Sequence, residues 1–297
     1  MPRTPYRAAA AAAALVLALT GCGDDGGDDG GDDVGSPTST GSASASPSAT
    51  AQETPATPAP GGSTAVAVYY LMDTTNGPRL YREFSSRPEA DDPVADAVQA
   101  MLEEPADDAD YTSLWPMETE VLGTSRDGDV LTVDLSREAL DGQAGSQFES
   151  LSVQQLVHTA TAAAPDAARV QLTFEGSKEQ DLWGAVSVGE PISRAPSAEV
   201  LGPVWILTPT EGGTVAQGAE FGGVATVFEA TVSWQWLQGD RVVAEGFSTA
   251  TEGAPGRGEW SSTVDVPPGD YVLKAFESSA RDGSETFVDT KTVTVTG

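Results

Sequence analysis

The 297-residue sequence predicts an α+β domain followed by an all-β sandwich, both carried behind a leader and a disordered tether. Three observations predict this. Between residues 64 and 190, strand-like apolar runs alternate with two helical stripes. Beyond residue 203 only short alternating segments occur. The first 63 residues hold one apolar run and then almost no aliphatic side chains. Composition narrows the function classes. A net charge of −30, from 45 acidic and 15 basic side chains, lacks the basic footprint that a nucleic-acid binder needs. One Cys excludes an internal disulfide or a thiolate cluster, and one His excludes a two-His zinc site. No cofactor is expected.

The leader spans residues 1–21. Arg3 and Arg7 precede an apolar run from Ala8 to Leu19, a secretory signal pattern too short to cross the ~30 Å hydrocarbon core of a bilayer. The sequence that follows, Leu19-Thr20-Gly21-Cys22, resembles the lipobox of bacterial lipoproteins. That resemblance implies diacylglyceryl and palmitate-type acylation of Cys22, removal of the leader and residence on the extracytoplasmic face of the cell membrane. Two or more acyl chains give stable anchoring, at about 0.8 kcal/mol per buried CH₂. The other reading is an ordinary secreted protein with a stray thiol.

Residues 22–63 are Gly, Asp, Ser, Thr, Pro and Ala almost throughout. Asp pairs recur from Asp24-Asp25 to Asp32-Asp33, but the alternating ligands, central Gly and closing Glu of a calcium loop are missing. Such a chain buries too little surface to offset its ordering entropy, so it reads as a tether with a reach of roughly 35–40 Å.

In the first domain, residues 64–190, Ala65–Met72 and Leu80–Phe84 read as strands. Asp92 reads as an N-cap before Pro93, with Val94, Ala97, Val98, Met101 and Leu102 as a helical stripe that Pro105 ends. Strands at Glu120–Thr124 and Asp129–Leu135 flank the turn Arg126-Asp127-Gly128. A second helix begins at Ser146, with capping-box spacing to Glu149 and a stripe of Val153, Leu156, Val157, Ala160 and Ala164. Val170, Leu172 and Phe174 alternate as a strand, and Leu182–Val188 supplies a last one. The expected order is β-β-α-β-β-α-β-β, with both helices packed on one sheet.

The stretch Val133-Asp134-Leu135-Ser136, with Gly145-Ser146, Glu149, Gln154-Gln155-Leu156 and Phe174-Glu175-Gly176, resembles the GerMN domain of sporulation and spore-germination proteins. This family is frequent in bacterial surface lipoproteins. Its α-β-β-α-β core also resembles the ring-building domains of spore-envelope and secretion channels, which implies a capacity to oligomerise, and membership of the GerMN family implies no catalytic set. His158 flanks the second helical stripe and reads as a structural histidine. Ser136 beside Asp134 suits a turn as well as a nucleophile. Paired carboxylates for a wall hydrolase are expected by chance in so acidic a chain.

Residues 191–202 read as a linker. From 203 to 297, strands are expected at Val204–Leu207, Thr214–Gln217, Phe221–Phe228, Thr231–Leu237, Arg241–Phe247, Trp260–Val266, Tyr271–Glu277 and Glu285–Thr296. Turns are marked at Gly239-Asp240, Pro267-Pro268-Gly269 and Asp282-Gly283. This spacing fits an immunoglobulin-like sandwich, with Val232, Trp234 and Trp236 toward its core. Gly223-Val224-Ala225, Phe228-Glu229-Ala230, Pro268-Gly269-Asp270-Tyr271 and Ser278–Gly283 resemble the immunoglobulin-like domain of bacterial spore germination. Trp205 and Trp260 are the candidates for an exposed sugar-stacking platform, against the ordinary use of Trp in a small core.

The expected function is a non-enzymatic, membrane-anchored lipoprotein whose modules bind peptidoglycan or envelope proteins; the alternative is a cell-wall hydrolase with paired carboxylates. Residues 64–192 carry −17 of the net charge and the tether −7, which favours solubility and basic partners.

Overall fold

The computed structural model describes residues 63–297, apart from residues 143, 144 and 185 and the side chain of Ser146. These residues fall within one unit of the chain. The leader, Cys22 and the tether up to residue 62 lie outside the described residues.

The first domain opens with a hairpin of β1 (Ser63–Met72) and β2 (Arg79–Pro88), in register from Ser63 opposite Pro88 to Met72 opposite Arg79. Helix α1 (Pro93–Glu103) starts where Asp92 Oδ1 accepts hydrogen bonds from the Val94 and Ala95 amides at 3.1 and 3.0 Å. Its expected stripe is buried in full. Then come β3 (Val121–Asp127), β4 (Val130–Leu135), α2 (Ser146–Ala163) and β5 (Arg169–Phe174). Three short strands follow, β6 (Asp181–Leu182), β7 (Val186–Ser187) and β8 (Ile192–Ser193), and a single helical turn, α3 (Ser197–Val200). Strands β4 and β5 are parallel, with α2 as the crossover that a parallel pair requires.

Four expectations are corrected. There are two main sheets rather than one: the β1–β2 hairpin stands apart from the sheet β3-β4-β5-β8. Helix α2 contacts both, so it is buried around most of its girth and not along one stripe. Leu182–Val188 is no single strand, because Trp183 and Gly184 adopt positive φ and fold it into the small β6–β7 pair. The N-cap of α2 is Gly145, one residue before the expected start of the capping box. The stretch 191–202 is also no free linker. Strand β8 joins the first sheet beside β5, and Val200 and Leu201 enter the first core.

The second domain contains β9 (Val204–Thr208), β10 (Gly213–Ala216), β11 (Glu220–Ala225), β12 (Thr231–Gln238), β13 (Arg241–Thr249), β14 (Gly258–Thr263), β15 (Gly269–Ser278) and β16 (Glu285–Thr296). A five-stranded sheet, β10-β16-β15-β12-β13, faces a three-stranded sheet, β14-β11-β9. All eight strands coincide with the expected segments to within a few residues. Phe221 sits at the centre, edge-on to Trp234, Trp236 and Trp260 with ring centroids 5.1, 5.3 and 6.3 Å away. Such pairs contribute about 0.5–1.5 kcal/mol each beyond the area they bury. Gly223 lets β11 lie against β9, since a Cβ there would stand 1.9 Å from the Trp205 carbonyl oxygen.

Candidate functional site

The most concentrated polar chemistry lies where the two domains meet. After α1, the acidic stretch before Tyr111 turns back toward the second domain. Glu83 on β2 accepts hydrogen bonds from the Asp107 and Asp108 amides at 2.9 Å each and so holds the turn. Asp108 pairs with Lys291 of β16, and Lys291 Nζ also donates to the Tyr111 hydroxyl at 2.9 Å. Tyr111 donates in turn to Asp289 Oδ1 at 2.8 Å. The other Asp289 oxygen accepts from the Ile206 amide of β9 at 2.6 Å. Asp289 and Lys291 are 0% and 4% exposed.

The electrostatics follow from this burial. Desolvation pushes the Asp289 carboxyl up to about 6, against the pull of Lys291 and its hydrogen-bond donors. Burial alone would lower the Lys291 ammonium, but Asp289 and Asp108 outweigh it and its pKa is raised. The Tyr111 hydroxyl is held neutral, chiefly by burial and then by Asp289 and Asp108. One cation sits between two carboxylates, and all four side chains are buried. The cluster is a joint.

Beside it stands an aromatic layer. Trp205, the second residue of β9, packs into the core of the first domain rather than its own. Its ring lies 6.2 Å from Tyr69 and 6.1 Å from Tyr81, with the Arg257 guanidinium 3.9 Å and the Arg82 guanidinium 5.6 Å from its centroid. Arg257 donates from both terminal nitrogens to the Gly202 carbonyl at 3.1 Å. At Gly202 a Cβ would stand 2.3 Å from the Tyr81 ring, so only glycine lets the chain pass.

Open clefts lie elsewhere. One of about 410 Å³ runs between the first half of α2 and the segment from β7 to α3, with Leu151, Val153, Val186, Ile192 and Val200 as apolar walls and Arg79 and Glu199 among its polar lining. A more polar groove of about 300 Å³ is lined by Tyr70, Glu83, Ser85, Glu104 and Asp107. The size and apolar lining of the first suit a bound ligand or peptide side chain. Among the described residues, no group of three or more His, Cys, Asp or Glu is arranged to hold a metal ion. No described helix is long and apolar enough to cross a membrane.

The residues singled out from sequence fall as follows. Cys22 lies outside the described residues. Trp205 and Trp260, each 3% exposed, are corrected from stacking candidates to packing residues: the first is walled in by Tyr69, Tyr81 and two arginines, the second by Phe221. His158 is buried against Tyr69, with 5.2 Å between ring centroids. Ser136 Oγ accepts from the Glu120 amide at 3.0 Å, while Asp134 accepts from Thr173 and the Gly176 amide. Both are local braces and form no nucleophile–base pair. Asp108, Tyr111, Asp289 and Lys291 escaped notice. A signal was present in β16, where Asp289 and Lys291 share the two-residue phase of the buried Val293 and Val295.

Two family models match the chain. Residues 67–180 match "Sporulation and spore germination", and residues 203–284 match "Immunoglobulin-like domain of bacterial spore germination". No curated protein matches the chain. Among solved structures, the tandem GerMN domains of the sporulation protein GerM from Bacillus subtilis align at 16% identity over 48% of this chain and 50% of that one, with a TM-score of 0.41. The first GerMN domain of the same protein aligns at 16% identity over 43% and 98%, with a TM-score of 0.36. A candidate lipoprotein of Clostridium perfringens aligns at 16% identity over 45% and 89%, with a TM-score of 0.32. The chain thus spans half the length of the tandem GerM structure. Motifs and family models agree on both segments: residues 67–180 match as a GerMN-type sporulation and spore-germination domain, and residues 203–284 as an immunoglobulin-like domain of bacterial spore germination.

Proposed function

We propose that this protein is a lipoprotein of the extracytoplasmic membrane face, anchored through Cys22, which uses its two germination-type domains to bind envelope material or envelope proteins without catalysing a reaction. The observation that carries this reading is the joint itself. Asp108 and Asp289, the most deeply buried carboxylates among the described residues, are spent on locking two domains together. The open cleft between α2 and α3 is largely apolar, which suits docking. A tether ahead of Ser63 would hold this body clear of the bilayer, and the charge of the first domain favours basic partners.

Two measurements test the reading. Cys22→Ala should move the protein from the membrane fraction to the medium; equal retention would remove the anchor. Incubation with purified peptidoglycan should bind material and release no muropeptides. Release that is lost on a single Asp or Glu substitution would replace binding with hydrolysis.

A further inference from the structure

Strand β13 ends the five-stranded sheet, and among the described residues its strand partner is β12 alone. A bulge at Val243 separates its first residues from a regular stretch, Ala244–Thr249. Along that stretch Ala244, Gly246 and Ser248 face inward; Trp234 lies over Gly246 and donates to the Ser248 hydroxyl at 3.2 Å. Glu245, Phe247 and Thr249 face outward. Phe247 is 70% exposed, and Phe228, which leads into β12 at the same end, is 68% exposed. The turn after Phe228 holds two non-glycine residues, Glu229 and Ala230, at φ of 54° and 55°. Such strain costs on the order of 1–3 kcal/mol each and persists where surroundings or function require it. Natural sheets normally blunt an edge with a charge, a proline or a cover. Here Glu245 is the one charge on Ala244–Thr249, whose outward face also carries the bare Phe247, and Phe228 stands exposed just ahead of β12.

We propose that the open edge of β13, over Ala244–Thr249, receives an extended segment of a partner protein rich in alternating apolar and basic side chains, which adds to the sheet as a sixth strand. Main-chain hydrogen bonds would supply the pairing, and Phe247 and Phe228 the apolar contacts. Charge complementarity selects the partner. Glu245 lies two residues from Phe247 on the same face, Glu229 adjoins Phe228, and the Glu277 carboxylate already holds the Phe228 amide at 3.0 Å. The same acidic surround, in a chain of net charge −30, disfavours a second copy. The proposal deepens the binding function above and rests on it for the existence of a protein partner.

The test uses the full chain in detergent and fluorescein-labelled decapeptides that alternate Val with Lys. Binding should be saturable. It should weaken at least tenfold when Glu replaces Lys, when alternate peptide nitrogens are methylated on one edge, or when the protein carries Phe247→Lys. Phe247→Tyr should bind within about twofold of the wild type. Equal binding of Lys and Glu peptides, tolerance of N-methylation, or unchanged affinity in Phe247→Lys would overturn the proposal. So would a dimer in sedimentation equilibrium that Phe247→Lys abolishes, because the occupant would then be a second copy. Phe247 is exposed, so the variant should fold, and an unchanged far-UV spectrum checks this. These probes are soluble peptides, so their failure removes the edge site and leaves the Cys22 retention test standing on its own.

Discussion

Strands β1, β9 and β13 each end a sheet, but the protein treats them differently. The open side of β1 is filled by side chains. The Tyr69 amide donates to Thr159 Oγ1 at 3.1 Å, the Tyr69 carbonyl accepts from Gln155 Nε2 at 2.9 Å, and Leu71 exchanges two bonds of 2.7 Å with the Thr112 backbone. On β9 the Ile206 amide is taken by Asp289. Among the described residues, no side chain or loop closes β13 in this way over Ala244–Thr249. Three buried polar residues, Gln155 and Thr159 of α2 and Asp289 of β16, thus close the edges of β1 and β9. Strand β13, which lacks such a cover, carries the exposed Phe247.

That contrast can be broken by substitution. Lys291→Met should have the largest effect, about 3–5 kcal/mol of destabilisation in urea unfolding, because it leaves two buried carboxylates without their cation. Gln155→Met and Thr159→Val keep volume but strand the Tyr69 carbonyl and amide, and each should cost about 1–3 kcal/mol. If either is neutral, the sealing of β1 is not by these side chains. A pH effect comes next. Asp289 ionises near 6 when folded and near 3.8 when unfolded, so between these values the native state binds the extra proton. The contribution of Asp289 to stability therefore rises as pH falls through 6 toward 4. Thermal melts at pH 7 and pH 5 should show the wild type gaining on Asp289→Asn over that interval. Phe247→Lys, at the open edge, should have the smallest effect on folding, within about 0.5 kcal/mol.

Much of this was legible in the sequence where local chemistry decides structure. The Asp92-Pro93 start of α1, the alternation of Leu131, Val133 and Leu135, and the eight strands of the second domain all follow from caps, periodicity and turn residues. What was not legible depends on partners distant in the chain. Helix α2 shows an apolar stripe, but its polar residues Ser152, Gln155 and Thr159 are buried too, because a separate hairpin covers them. Along the sequence Asp108 is one acid among several near Asp107 and Asp110, and only its meeting with Lys291, 183 residues later, gives it a role. Trp205 belongs by spacing to the second sandwich and by packing to the first domain.

The position of Trp205 bears on where this protein can be cut. The matched segment of the first domain ends at residue 180, yet its core is completed by Leu182, Val188, Val200, Leu201 and Trp205. A piece ending at Gln180 would lose the lid of its own interior and expose Tyr69 and Tyr81 to water. A piece beginning at residue 203 would carry an indole built to lie inside another domain. Heated intact, the two domains should therefore melt in a single calorimetric transition, with van't Hoff and calorimetric enthalpies equal. The first matched segment stops at residue 180 and the second starts at 203, whereas the unit that folds runs through Trp205.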